Sequence, residues 1–195
     1  TSSIEDVANT ASSHIKSQEG KRILSEVGHG LTYDKRDSRI SPTDGYVIRL
    51  NNDLAGFGGN ARYLRNLLSA GQYVEIFDEW VLGVTGSVGH ILGLGKDVII
   101  ADRFFLGGDT LRGFQTAGVG PRDKITEDSL GGEWKYNGSV QMKFPLELPA
   151  EFAISGRLFS DFGSVGEVNP SNSNIQDTGS IRASAGAGLG WVSPF

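Results

Sequence analysis

The sequence predicts an all-β protein, namely an antiparallel transmembrane β-barrel of which this chain carries about seven strands. Several segments alternate apolar and polar side chains over the roughly 9–11 residues that a tilted strand needs to cross a bilayer. Strands of soluble proteins average only about 5–6 residues. The two longest predicted loops, residues 93–134 and 164–179, lie two strands apart and therefore on one rim. Membrane barrels typically carry long loops at one end and short turns at the other.

Composition is compatible with one domain and excludes several classes of function. The chain has 195 residues, 28 glycines and a net charge of -5. It lacks the clustered Lys and Arg that neutralise phosphates, so we expect no nucleic-acid partner. The absence of cysteine removes disulfides, thiolate catalysis and sulfur-ligated metals. No apolar run reaches the roughly 18 residues of a membrane helix, but barrel strands have much weaker hydropathy.

The first half of the chain predicts three strands. Residues 1–20 are polar and aperiodic, so we expect a loop or a truncated strand there, before a partial barrel over residues 21–195. Arg22–Asp34 and Tyr46–Leu54 alternate in character and flank a charged connector rich in turn formers. The glycine-rich stretch at 56–60 is expected to turn the chain. Residues 61–76 alternate less regularly, and a helix over residues 62–70 is the alternative to a strand.

The second half predicts four more strands, at Trp80–His90, Ser139–Leu146, Phe152–Phe162 and Ile181–Trp191, with a short turn at residues 145–149. Aromatic residues fall near several predicted strand ends, where a membrane interface favours them; the alternative is that they are core aromatics. These residues are Tyr33, Trp80, Trp134 and Trp191. An open sheet edge in hydrocarbon leaves backbone groups unpaired, so we expect the natural protein to continue at both ends.

One arginine suggests a specific contact between a loop and a strand. Arg112 lies in a glycine-rich loop too long to be a turn, and Asp161 lies on a predicted strand within Phe159–Gly163. A guanidinium offers a planar fork of donors that matches a carboxylate, so the two side chains are candidates for a latch between loop and barrel. The alternative is that Arg112 is a solvated loop charge and Asp161 an ordinary residue at a strand end.

Several motifs in order resemble the C-terminal barrel of the BamA family of outer-membrane assembly factors, which is related to the TpsB transporters and organellar import barrels. The motifs lie at Gly107–Phe114, Gly118–Asp123, Leu130–Gly132, Phe144–Leu146 and Phe159–Gly163, and in the segment from Ser184 to Phe195. The resemblance implies the C-terminal half of a barrel whose long loop folds into the lumen, with Arg112 paired to Asp161. It also implies supporting roles for Gly107, Gly108, Leu111, Gly113, Phe114, Phe159 and Gly163. Leu111 stands where the family usually has Val or Ile.

The same resemblance implies a bacterial outer-membrane protein that inserts and folds other β-barrels without covalent chemistry. Its partners would be the lipid bilayer, unfolded β-barrel clients and lipoprotein subunits of an assembly complex. We expect no cofactor and no catalytic or metal-binding residues, because the three histidines are scattered and Gly186–Gly190 lacks the spacing of a nucleotide-binding loop.

Three alternatives remain open. One is a polypeptide-secreting TpsB-like transporter, which the resemblance would distinguish by two rather than five POTRA repeats upstream. Another is a soluble all-β ligand-binding domain. The third is a barrel enzyme, for which the sequence offers no acid–base or nucleophile cluster.

Overall fold

A computed structural model of the chain describes residues 2–4, 11–146, 149, 154–176 and 179–191. The strands are β1 (Ser2–Ile4), β2 (Gly20–Arg22), β3 (Leu24–Asp34), β4 (Gly45–Gly59), β5 (Tyr63–Phe77), β6 (Trp80–Gly93), β7 (Arg122–Asp123), β8 (Trp134–Pro145), β9 (Ile154–Gly166), β10 (Ile175–Gln176) and β11 (Arg182–Trp191). One α-helical turn, α1, spans Ser13–Lys16, and two 3-10 turns lie at Ile100–Asp102 and Gly108–Thr110. No helix in the described ranges has the length and apolar character needed to span a membrane.

Seven strands form one antiparallel sheet in the order β11-β9-β8-β6-β5-β4-β3. They are 10 to 15 residues long, which is enough for a tilted strand to cross a bilayer. Each strand pairs with the long strand that follows it in the chain, so the sheet is a simple meander. The predicted all-β antiparallel class and the seven long strands are therefore confirmed.

Several strands extend beyond their predicted bounds. β6 reaches Gly93 where His90 was predicted, and β9 reaches Gly166 where Phe162 was predicted, so the second long loop starts after Gly166 and not at residue 164. The expected turn at residues 56–60 was wrong, because β4 continues to Gly59 and the chain turns only after it. Gly56 and Gly58 adopt φ of +141° and +136°, positive values that glycine tolerates, and so the strand is not interrupted. β8 begins at Trp134, five residues before the predicted start at Ser139. Residues 63–77 form a strand, so the helical alternative is excluded.

The described part of residues 1–20 contains β1, which pairs with β2, and the helical turn α1. Near the other end of the chain, the second long loop begins after β9 ends at Gly166. This loop carries the short strand β10. The predicted turn at 145–149 and the predicted strand start at Phe152 lie largely outside the described residues.

Cross-strand register sorts the side chains onto two faces of opposite character. One row of directly opposed residues is apolar and comprises Leu31, Leu50, Leu68, Val88 and Tyr136. The next row is polar and comprises Thr32, Arg49, Ser69, Ser87 and Asn137. We call these the outer and inner faces. Leu31 and Val88 are 62% and 59% exposed. An exposed face of large aliphatic side chains suits hydrocarbon and not water.

The main core lies between the inner face and the long loop of residues 94–133. It contains buried residues from both, namely Ala55, Tyr63, Ile91, Val98, Phe104, Leu106, Leu111, Val119 and Val165. The loop therefore folds over the inner face, as expected. A second cluster of Leu130, Val168 and Ile175 joins the two long loops, against which Ile15 and Ile100 pack.

The two long loops meet on one rim. β7 from the first loop pairs with β10 from the second, and the Lys124 amide donates to the Asn174 carbonyl at 2.8 Å. The opposite rim carries the 35–45 connector and the hairpin turn between β5 and β6. The predicted placement of both long loops on one rim is confirmed.

Aromatic side chains mark the ends of the outer face. Trp80 and Trp191 begin β6 and end β11, and Tyr33 lies one residue before the end of β3. Their exposed fractions of 38%, 65% and 53% favour an interfacial position over a core position. Trp134 lies at the long-loop rim in one row with polar residues of the outer face. That row contains His29, Asn52, Asn66 and His90, and the amides of Asn52 and Asn66 are hydrogen-bonded at 2.5 Å.

Candidate functional site

The tip of the long loop is a tight turn that only glycine permits at its start. Gly107 has a φ of +132°, and a side chain there would meet the Gln115 carbonyl at 2.1 Å. The Thr110 hydroxyl closes the turn, because it accepts from the Gly107 amide at 3.1 Å and donates to the Gly107 carbonyl at 2.8 Å. Gly108, with a φ of +58°, donates to the Phe114 carbonyl at 3.0 Å. The turn presents Arg112 to the inner face.

The structure brings Arg112 and Asp161 together in a bidentate pair. Nε of Arg112 donates to Oδ2 of Asp161, and Nη2 donates to Oδ1, both at 2.7 Å. The backbone amide of Arg112 donates to the same Oδ2 at 3.1 Å. The Asp161 side chain is only 4% exposed, whereas that of Arg112 is 34% exposed. The carboxylate thus depends on Arg112 for compensation of its charge.

Two polar residues of β8 complete the environment of the guanidinium. Gln141 accepts from Nη1 and Ser139 accepts from Nη2 of Arg112, each at 2.9 Å. Sequence analysis did not assign them to the site. Their alternation along β8 indicated a polar face, but only the register places Ser139 directly opposite Asp161.

An aromatic ring supports the guanidinium. Cζ of Arg112 lies 3.6 Å from the centroid of the Phe159 ring, a cation–π contact. The ring leans over β11, where a side chain at Gly186 would come within 2.6 Å of its tip. Gly186 therefore leaves the space in which Phe159 lies, a role that the sequence did not indicate.

The remaining motif residues pack around the loop tip. Leu111 is fully buried in the main core and Phe114 packs against it. Gly113 has a φ of +85° and lies against Ser184 of β11. Gly163 lies beneath Leu106 of the loop, where a side chain would come within 3.0 Å of the leucine. Together with Gly107, Gly108 and Phe159, the residues named from the sequence shape the loop tip or pack where it meets the sheet.

A second set of contacts, also unassigned by sequence analysis, holds the start of the loop. Asp102 forms an ion pair with Arg22 of β2, and their side chains are 7% and 15% exposed. Burial raises the pKa of Asp102, and the attraction of Arg22 opposes that rise. Arg103 is buried and donates to the carbonyls of Val98, Leu130 and Asn169 at 3.1, 3.3 and 2.8 Å. Burial lowers the pKa of Arg103. Arg103 thereby joins the two long loops.

Phe104 fixes the next part of the loop on the sheet. Its ring lies over Gly89, where a side chain would be 2.8 Å away. Arg65 and Lys135 lie over the ring, with Cζ and Nζ at 4.7 and 5.5 Å from its centroid. The loop is therefore held at its start by ion pairing, then by an aromatic contact and at its tip by Arg112.

The contacts are suited to holding a polypeptide segment in place. Among the residues that the structure describes, no group of three or more His, Asp or Glu side chains could hold a metal ion. What the site offers is a guanidinium that donates four hydrogen bonds, a buried carboxylate and close packing against glycines.

Comparisons with known proteins agree with this architecture. The model of the Omp85 superfamily domain matches residues 1–195. The chain is 38% identical over 194 residues to the outer membrane protein assembly factor BamA of Neorickettsia risticii, covering 98% of this chain and 26% of that protein. It is 31% identical over 195 residues to the sorting and assembly machinery component 50 homolog A of Xenopus laevis, covering 94% and 41%.

A solved structure shows the same fold. The crystal structure of BamA from Haemophilus ducreyi lacking POTRA domains 1–3 superposes with a TM-score of 0.76 at 22% identity, covering 87% of this chain and 36% of that one. The chain thus spans well under half the length of the relatives it matches. A family model that matches the whole chain, with a relative of 38% identity, establishes that this protein belongs to the Omp85 superfamily.

Proposed function

We propose that this chain is part of an outer-membrane assembly factor that inserts and folds other β-barrel proteins. The observation that carries the proposal is the similarity along 98% of the chain to a protein named as such a factor. The similarity to a protein named as a sorting and assembly machinery component supports the same activity. On this proposal the protein resides in the outer membrane, and its partners are unfolded β-barrel clients, the bilayer and lipoprotein subunits.

The two faces of the sheet support a membrane position. The outer face exposes rows of large aliphatic side chains, which a soluble ligand-binding domain would not present to water. The inner face is polar and is covered by the long loop. The proposed activity uses binding and membrane geometry alone, which fits a site that consists of structural contacts.

Within that function, we assign Arg112 and Asp161 the role of a latch. The latch holds the long loop on the inner face, so that the sheet keeps one defined interior while the barrel acts on a client. The supporting residues Gly107, Gly108 and Phe159 shape the turn and the surface against which the guanidinium lies.

A reconstitution experiment tests the proposal. The full-length protein is placed in lipid vesicles, and the folding rate of a urea-unfolded outer-membrane β-barrel client is followed by protease resistance. We expect faster folding than in empty vesicles or in vesicles that contain an unrelated barrel. Equal rates, together with export of an unfolded polypeptide across the vesicle wall, would instead identify a secretion transporter.

A further inference from the structure

The 35–45 connector is a folded element at the rim opposite the long loops. The Asp37 carboxylate accepts from the amide and hydroxyl of Thr43, at 3.0 and 2.7 Å, and from the amide of Asp44, at 3.1 Å. These hydrogen bonds lower the pKa of Asp37 to about 2. Nζ of Lys143 donates to the Ser41 hydroxyl at 3.4 Å, so the connector reaches across the inner face to β8.

The connector and the first two long strands enclose an open pocket of about 570 Å³. Thr32, Asp34, Arg36, Arg39 and Arg49 line it. Asp34 is already engaged, because Arg36 donates to both of its oxygens at 2.9 and 2.8 Å and Nε of Arg39 lies 3.9 Å from Oδ2. Two guanidinium groups therefore share one carboxylate, and Arg49 brings a third guanidinium to the same pocket.

Two of these arginines keep donors free for a ligand. Arg39 is 86% exposed in its side chain and contacts Asp34 only at long range. Arg49 is exposed, and within the described ranges no hydrogen bond or ion pair engages its guanidinium. Thr32 lies directly opposite Arg49 on β3 and adds a hydroxyl on the same inner face. The pocket thus combines an excess of positive charge with planar donors, which match an oxyanion.

We propose that Arg39 and Arg49, aided by Thr32, bind a carboxylate of a polypeptide segment at this rim of the sheet. The choice of polypeptide rests on the proposed function, since Arg49 and Thr32 are on the inner face and lipid phosphates would approach the outer one. Arg36 and the folded connector form the wall of the pocket. The carboxylate of the ligand supplies the acidic partner that Arg49 lacks.

Peptide binding by the full-length protein in detergent tests the site. The probe is a short fluorescent peptide rich in Asp and Glu, compared with the same peptide carrying Asn and Gln. We expect the acidic peptide to bind, and we expect its affinity to fall when the ionic strength rises from about 0.05 to 0.5 M. The double variant R39Q/R49Q should bind it about tenfold more weakly. The matched control is R182Q, an exposed arginine on the inner face at the other rim, which should change nothing.

Equal binding of the two peptides, or an R182Q effect as large as that of R39Q/R49Q, would overturn the proposal. Peptide binding is measured separately from client folding, so the two proposals can fail independently. A protein that binds the acidic peptide through Arg39 and Arg49 but does not accelerate client folding supports this site and contradicts the proposed function. A protein that accelerates client folding but does not bind the acidic peptide supports the proposed function and contradicts this site.

Discussion

Arg112 and Asp161 meet in two parallel hydrogen bonds of 2.7 Å, although 49 residues separate them in the chain. The Asp161 side chain lies almost fully enclosed beneath the loop, while one third of the Arg112 side chain remains exposed. Because of this asymmetry, loss of Arg112 should destabilise the docked loop mainly by leaving the buried Asp161 carboxylate without a compensating charge.

A double-mutant cycle on this pair should show strong coupling. Arg112→Ala should destabilise loop docking by about 1–5 kcal/mol, between the values for exposed and buried pairs. Asp161→Ala should cost less, because the guanidinium keeps Gln141, Ser139 and Phe159 as partners. Protease protection of residues 94–133 in the full-length protein in urea would give the free energies. Strict additivity of the two single effects would contradict direct pairing.

Gly186 should be essential for the aromatic support of Arg112. A methyl group at this position would come within 2.6 Å of the Phe159 ring and push the ring off the guanidinium. We expect Gly186→Ala to destabilise the docked loop by about 1–3 kcal/mol through overpacking. Gly188→Ala is the matched control on the same face of β11, because no atom lies within 4 Å of its added carbon. Similar losses in both variants, measured by the same urea titration, would refute the role of Gly186.

Removal of Arg22 should make the start of the loop sensitive to pH. Burial already holds the pKa of Asp102 above its unfolded value, and Arg22 opposes that rise. Without Arg22 the folded state binds its proton more tightly than the unfolded state does, so stability is retained at low pH and lost as pH rises through the folded pKa. Loop protection in Arg22→Ala should therefore improve as the pH is lowered towards the ordinary pKa of an aspartate, and improve more than in the unaltered protein.

The matched control adds Asp102→Asn to Arg22→Ala, which removes the titrating group while Glu26 and Arg65 stay nearby. That double variant should lose the extra dependence on pH. If it keeps the same pH profile as Arg22→Ala, a group other than Asp102 is responsible.

The two faces of the sheet should differ sharply in tolerance of charge. Leu68→Arg on the outer face should destabilise the protein in lipid bilayers by about 2–4 kcal/mol. Ser69→Arg on the neighbouring inner row should have a much smaller effect, because that face is polar. Urea unfolding in vesicles measures both. A comparable cost at the two positions would argue against a hydrocarbon environment for the outer face.

The sequence alone determined the strand-based architecture, because alternation of side chains and strand length are local properties. Two-residue periodicity revealed both faces, and the order of strands and loops placed the long loops on one rim. The sequence also identified Arg112 and Asp161 as candidate partners, from their residue types and from the motifs in which they lie. The end of β4 was misjudged, since glycines at 56 and 58 suit either a turn or a strand. The start of β8 and the ends of β6 and β9 were also placed inside the observed strands.

The tertiary structure alone decided which side chains meet the loop. Ser139 and Gln141 join Arg112 because the register of β8 against β9 sets them beside Asp161 and Phe159. Arg22 meets Asp102 across 80 residues of chain, and Gly186 is needed only because the Phe159 ring leans over it. Such contacts depend on strand register and on the path of a long loop, which are nonlocal and leave no periodic pattern in the sequence.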